Sequence, residues 1–132
     1  MIEKVGFILS TGRTGTQFFE EFLSANFKNT LCLQEPKPSR RFKFYSNLLS
    51  QNKISENFVS KQYLKLRKKI LNTNNLKLYV ESNNFIFGCI NAFRDNISNI
   101  YILHLIRHPE KYIISHLNHG FWGGYKKLSS CQ

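Results

Sequence analysis

The sequence predicts a three-layer αβα fold, in which helices cover both faces of a central parallel sheet of about four strands. Short, nearly unbroken apolar runs recur along the chain, as in strands buried on both faces. Each run is followed by a stretch with helical spacing, and parallel neighbours require such crossovers. With 42% hydrophobic and 14% aromatic residues in 132, the chain can also fill the core of a single domain spanning 1–132.

Val5-Gly6-Phe7-Ile8-Leu9 is the first run. Beyond Ser10 to Thr16, the spacing of Phe18 and Phe22, and of Phe19, Leu23 and Phe27, stacks these side chains on one side of a helix starting near Gly15. Leu31-Cys32-Leu33 forms the second strand, closed by Glu35 because Pro36 has no amide to donate. From Arg40 to Leu71 the pattern is helical, with Val59, Tyr63, Leu66 and Ile70 on one face and lysines between them. Asn72 to Asn75 break it. Leu76 to Val80 is the third strand, ending at Glu81-Ser82-Asn83, and a short helix follows from about Phe85 to Arg94. Ile100 to Ile106 is the fourth strand, and Pro109 starts a last helix that runs to about His119. All strand C-termini in such a sheet open on one edge, where ligands bind. Ser10 to Thr16, Glu35, Glu81 to Asn84 and Arg107 to Pro109 should therefore meet there.

The chain carries 19 Lys plus Arg against 8 Asp plus Glu, a formal charge of +11. Such a surplus points to an anionic partner: nucleic acid, an acidic membrane face, a nucleotide or an acidic polymer. It is regional, because residues 37–77 hold 11 of the cations and one acid, Glu56. No apolar run has the roughly 20 residues of a membrane span, and Val5 to Leu9 is too short for a signal peptide. Cys32, Cys89 and Cys131 form no Cys-x-x-Cys pair, so a disulfide framework is not indicated and a reducing, cytoplasmic setting is expected. His104, His108, His116 and His119 do not make up a zinc ligand set, so no metal is expected. Phe121, Trp122 and Tyr125 suit packing better than stacking on a base.

Thr11-Gly12-Arg13-Thr14-Gly15-Thr16 is a glycine-bearing turn between a buried strand and a helix, where amides can surround a phosphate. It is not a Walker A loop: Ser10 stands where the first glycine belongs and Thr16 where the lysine belongs. An ordinary βα turn is the plain alternative.

Here the sequence resembles the P-loop-like sulfotransferases. Their first βα loop binds the 5′-phosphosulfate of 3′-phosphoadenosine 5′-phosphosulfate (PAPS) through a basic residue followed by Ser/Thr-Gly-Thr/Ser, matched by Arg13-Thr14-Gly15-Thr16. Their second signature, an Arg after a later strand and a Ser about eight positions on, holds the 3′-phosphate and is matched by Arg107 and Ser115. The resemblance covers Lys4 to about His119 and leaves 37–77 unmatched. It implies a P-loop NTPase-like fold, PAPS as co-substrate without a metal, and donor contacts from Gly12, Arg13, Thr14, Gly15, Thr16, Gln17, Arg107 and Ser115.

It also implies a carboxylate base. Glu35-Pro36 stands where a bacterial-type branch carries its catalytic glutamate, and Glu81 is the reserve, where other branches carry theirs. Each has a plain alternative as a salt-bridge partner or loop cap. The expected reaction is sulfuryl transfer to a hydroxyl of a carbohydrate or small metabolite, with the carboxylate taking the proton. Arg13 and the loop amides would meet the charge that grows on the leaving oxygen. Two departures stand out. Gln17 replaces a second small hydroxyl residue, and 120–132 is too short for the usual closing helices and basic loop, for which Gly123 to Lys127 is a poor substitute. A truncated or partial domain is expected. The competing readings are a P-loop nucleotide-binding protein, kinase-like or an inactive remnant, and, ranked last, a nucleic-acid module built on 37–77.

Overall fold

The computed structural model describes residues 4–11, 14–94 and 96–118. The chain is α/β, with one four-stranded parallel sheet and five α-helices among the described residues. β1 (Lys4–Ser10) lies inside the sheet and is buried from Val5 to Ser10. α1 (Thr16–Asn26) leads to β2 (Thr30–Gln34). α2 (Arg40–Ser50) and α3 (Glu56–Leu71) precede β3 (Leu78–Ser82). A 3₁₀ helix (Asn84–Cys89) and α4 (Ile90–Arg94) precede β4 (Ile100–Leu105), and α5 (Pro109–Asn118) ends the described chain.

Strand order is β2-β3-β1-β4. Val5 pairs with Tyr79 on one side and Ile100 on the other, and Ile8 with Ser82 and Leu103. The two-residue period of β1 divides its side chains between two cores. Val5, Phe7 and Leu9 pack with Phe42 of α2, Val59 and Tyr63 of α3, Ile86 and Cys89 of the 3₁₀ helix, and Ala92 and Phe93 of α4. Ile8 packs with Cys32, Val80, and Phe19 and Leu23 of α1. Helices thus pack on both faces, an arrangement compatible with three layers.

Several expectations change. The helical stretch from Arg40 to Leu71 is two helices, because Asn52 turns the chain at φ 54 and the Ser55 hydroxyl caps α3 by accepting from the Phe58 amide at 3.2 Å. The second strand stops at Gln34, one residue before Glu35. The segment expected as a helix from about Phe85 begins as 3₁₀. On α1 only Phe19 and Leu23 join the core, while Phe18 (58% exposed) and Phe22 (42%) stack on each other outside at 5.4 Å. The two stripes sit about 100° apart, so one helix face cannot bury both. The readings placed on His119, Phe121, Trp122, Gly123 to Lys127 and Cys131 lie outside the described residues.

Asn29 and Asn99 adopt positive φ directly before β2 and β4, and Asn75 does so three residues ahead of β3. Asn tolerates the left-handed region better than most residues, so it turns the chain into each strand at little cost. Phe93 is fully buried and meets Phe7, Tyr63 and Phe42 at ring-centroid distances of 5.5, 4.4 and 6.2 Å. Truncation there leaves a cavity that three aromatic neighbours cannot fill. Phe93→Ala is expected to cost about 3–5 kcal/mol in urea unfolding; a loss below 1 kcal/mol would contradict this packing.

Candidate functional site

In an open parallel sheet, ligands bind outside the strand C-termini where the connections change direction. That point lies beside β1, since β1 leads to β2 and β3 on one side while β4 sits on the other. A cavity of about 650 Å³ opens there. Thr11, Gly15, Thr16 and Gln17 line it from the first βα turn, Gln34 and Glu35 from the end of β2, and Asn84 and Phe85 from the turn after β3. Arg107, Ser115 and His116 line it from the far end of the chain. Arg107 and Ser115 also border a neighbouring cavity of about 230 Å³ with Lys111 and Asn118.

Of the expected donor contacts, Gly15, Thr16, Gln17, Arg107 and Ser115 come together in this cavity. Gly12 and Arg13 lie outside the described residues. Gly15 precedes α1 at φ 91, a left-handed conformation that glycine adopts freely, and nothing lies within 4 Å of where a Cβ would sit. Thr16 opens α1, and its hydroxyl accepts from Gln34 Nε2 at 3.0 Å. Gln17 is exposed and donates to Glu21 at 3.3 Å. The Thr14 hydroxyl is buried without a hydrogen-bond partner among the described residues. A buried, unsatisfied hydroxyl beside an open glycine suits a turn that receives an anionic group.

The two carboxylates have different settings. Glu35 lines the cavity, and its Oε1 accepts from Asn84 Nδ2 at 3.3 Å, while Asn84 Oδ1 accepts from Ser10 Oγ at 2.5 Å. Asn84 thereby ties the end of β1 to Glu35. The backbone of Glu35 is left-handed at φ 44, a conformation that costs a non-glycine residue on the order of 1–3 kcal/mol. Its amide is held by the Ser82 carbonyl at 2.8 Å.

Glu81 does not line the cavity. It is fully buried behind the sheet edge, paired with a fully buried Arg67. Oε2 accepts from Arg67 Nε at 2.8 Å, Tyr79 at 2.9 Å and Tyr63 at 3.2 Å; Oε1 accepts from Arg67 Nη2 at 2.8 Å and Asn83 at 2.6 Å. With five donors around it, Glu81 has the contacts of the salt-bridge alternative and not those of a base open to substrate. Arg67 continues outward, donating to Ser39 Oγ at 3.2 Å and the Lys37 carbonyl at 3.3 Å. Ser39 in turn donates to the Pro36 carbonyl. The chain following Glu35 is therefore anchored to Glu81 through Arg67.

Burial pulls the Arg67 guanidinium down, but the hydrogen bonds and charge of Glu81 outweigh it and hold Arg67 charged. Burial, with the Glu81 charge adding to it, pushes the Tyr63 and Tyr79 phenols up. Burial also pushes the Cys32 and Cys89 thiols up, from 9.0 to about 12. Among the described residues, no three His, Cys, Asp or Glu side chains are grouped to hold a metal. No protein-family model, no curated protein and no solved structure matches the chain.

The sequence placed Asn84 at this edge without giving it a role, and it missed Gln34, Arg67 and Lys111. Asn83-Asn84 after a strand was the available signal, because the Asn83 side chain caps the 3₁₀ helix by accepting from the Phe85 amide at 2.9 Å.

Arg67→Met leaves a buried carboxylate unpaired, so it is expected to cost about 3–5 kcal/mol. Arg67→Met with Glu81→Met should cost less than the two single changes together, and a strictly additive result in urea unfolding would show that the two groups do not interact. Raised thiol and phenol values mean that the native state favours the neutral forms. Their contribution is fully present below the ordinary values of 9.0 and 10.0 and is lost as pH rises through the higher folded values. Unfolding free energy should accordingly fall as pH rises above about 9; a rise over that alkaline range would reverse the sign.

Proposed function

We propose that the chain is a sulfotransferase on a P-loop NTPase-like fold, moving a sulfuryl group from PAPS to a hydroxyl of a carbohydrate or small metabolite. The observation that carries this reading is the shared cavity. Gly15, Thr16 and Gln17 from the first turn and Arg107 and Ser115 from the last helix junction line one space, with Glu35 on its wall. Either signature alone is a common short pattern, but their convergence supports a single ligand touched by both.

The residues fit such a donor. The Thr14 hydroxyl, without a partner among the described residues, the open Gly15 and the N-terminus of α1 offer a place for the 5′-phosphosulfate, with Arg13 assigned there by the motif. Arg107 and Ser115, with Lys111 beside them, suit the 3′-phosphate. PAPS supplies an activated sulfuryl group whose bond to the 5′-phosphate oxygen breaks as the acceptor oxygen bonds to sulfur. Glu35 takes the acceptor proton, and Asn84 orients its carboxylate. We assign the base to Glu35 and not to Glu81, whose oxygens are committed to five donors.

Thermal shift with 3′-phosphoadenosine 5′-phosphate (PAP), ADP, and ATP with magnesium tests the reading. Stabilisation by PAP above ADP is expected; stabilisation by ATP with magnesium alone would replace it with a kinase-like reading. Arg107→Ala should weaken PAP binding roughly 10–100-fold and erase its preference over AMP. Glu35→Gln should leave PAP binding intact and lower transfer by roughly 10²–10⁴-fold. Undiminished transfer by that variant would move the base elsewhere.

A further inference from the structure

Lysines gather at the sheet edge opposite the cavity. The Lys4 amide bonds the Lys77 carbonyl at 3.1 Å, and the Lys77 amide bonds the Asn29 carbonyl at 2.9 Å. Lys28, Lys77 and Lys4 therefore follow one another across the starts of β2, β3 and β1. The Val5 amide bonds the Asn99 carbonyl at 3.2 Å and extends the row to β4. α3 ends at the same edge, where Lys65 and Lys68 border a depression of about 580 Å³ with Val5, Ile97 and Ser98, and Lys69 lies in its last turn. All six lysines are exposed, and among the described residues none is in an ion pair. Glu3, next to Lys4 in sequence, and Asp95 lie outside the described residues.

We propose that this edge is a docking face for an anionic lipid bilayer. Neighbouring strand starts are spaced about 4.8 Å apart, so among the described residues the row offers a shallow line of point charges, joined by the last turns of α3, and no β-ribbon to enter a nucleic-acid groove. Exposed rings stand at its margin. Phe27, 52% exposed, follows α1 beside Lys28, and Tyr101, 55% exposed, lies under the Lys4 ammonium at 6.0 Å. Lysines for headgroups beside aromatics for the interfacial layer are the pairing that peripheral attachment uses. No helix among the described residues is long and apolar enough to cross a membrane, so attachment would be from one side. Docking by this edge leaves the cavity at the other edge open to solvent, whatever ligand that cavity takes.

The test is co-sedimentation of the full chain with phosphatidylcholine vesicles, with and without phosphatidylserine. Binding only to the anionic vesicles, falling steeply with salt, is expected. Lys4→Gln, Lys68→Gln and Lys77→Gln together should weaken it roughly a hundredfold, at about fivefold per lysine. Arg40→Gln, Arg41→Gln and Lys43→Gln remove the same charge from exposed positions on α2 and should change it far less. Equal losses in the two triple variants would make net charge, not this face, the cause and overturn the assignment. Absence of binding to anionic vesicles would overturn it as well, and so would displacement by duplex or single-stranded nucleic acid that binds more tightly than the vesicles.

Discussion

The Arg67–Glu81 pair sits where four parts of the chain have to agree. Glu81 belongs to β3, Arg67 to α3, and the outer donors of the guanidinium reach Ser39 and the Lys37 carbonyl ahead of α2. Asn83, bonded to Glu81 and Ser39, sets the direction of the chain as it leaves β3. Desolvating two charges is expensive, and a hydrophobic pair of similar volume often serves stability as well. What an ion pair adds is direction. A guanidinium presents its donors in a fixed plane, and here that plane fixes the height of α3 against the sheet and the path of the segment beyond Glu35. Phe42 and Tyr63, with the guanidinium 5.7 and 5.8 Å from their ring centres, close its faces.

This arrangement separates a buried support from the cavity wall by a single layer. Glu81, Tyr63, Tyr79 and Arg67 form a saturated polar core behind the strand ends, while Ser10, Asn84, Glu35, Gln34 and Thr16 form a looser set in front. The rear set is buried and densely bonded, as a rigid scaffold requires. In the front set, Thr16, Gln34, Glu35 and Asn84 line the cavity.

The apolar strands were legible because β1 is buried on both faces and reads as one run, and the Arg107-His108-Pro109 junction was legible because proline marks a helix start. The edge shared by Ser10, Glu35, Asn84 and Arg107 followed from parallel topology alone. Arg67 was not legible. It stands four residues after Tyr63 on the inward face, but in the company of Lys65, Lys68 and Lys69 its charge assigns it to solvent. Only the carboxylate of a strand 14 positions away reverses that, and such a pairing has no local trace. The break within 40–71 did have one, since Asn52 is a weak helix former and Ser55 before Glu56 is a cap followed by an acid in the first turn.

The left-handed backbone at Glu35 constrains which residues the position tolerates. Glycine would relax the turn and remove the carboxylate. Aspartate tolerates the left-handed region more readily and keeps the charge, yet it draws the carboxylate back by one carbon, about 1.5 Å. Valine or isoleucine would worsen the crowding without offering an acceptor. Backbone ease and side-chain reach thus pull this position in opposite directions, so if Glu35 is the base proposed above, an exchange that a folding screen rewards is one that a functional screen would penalise.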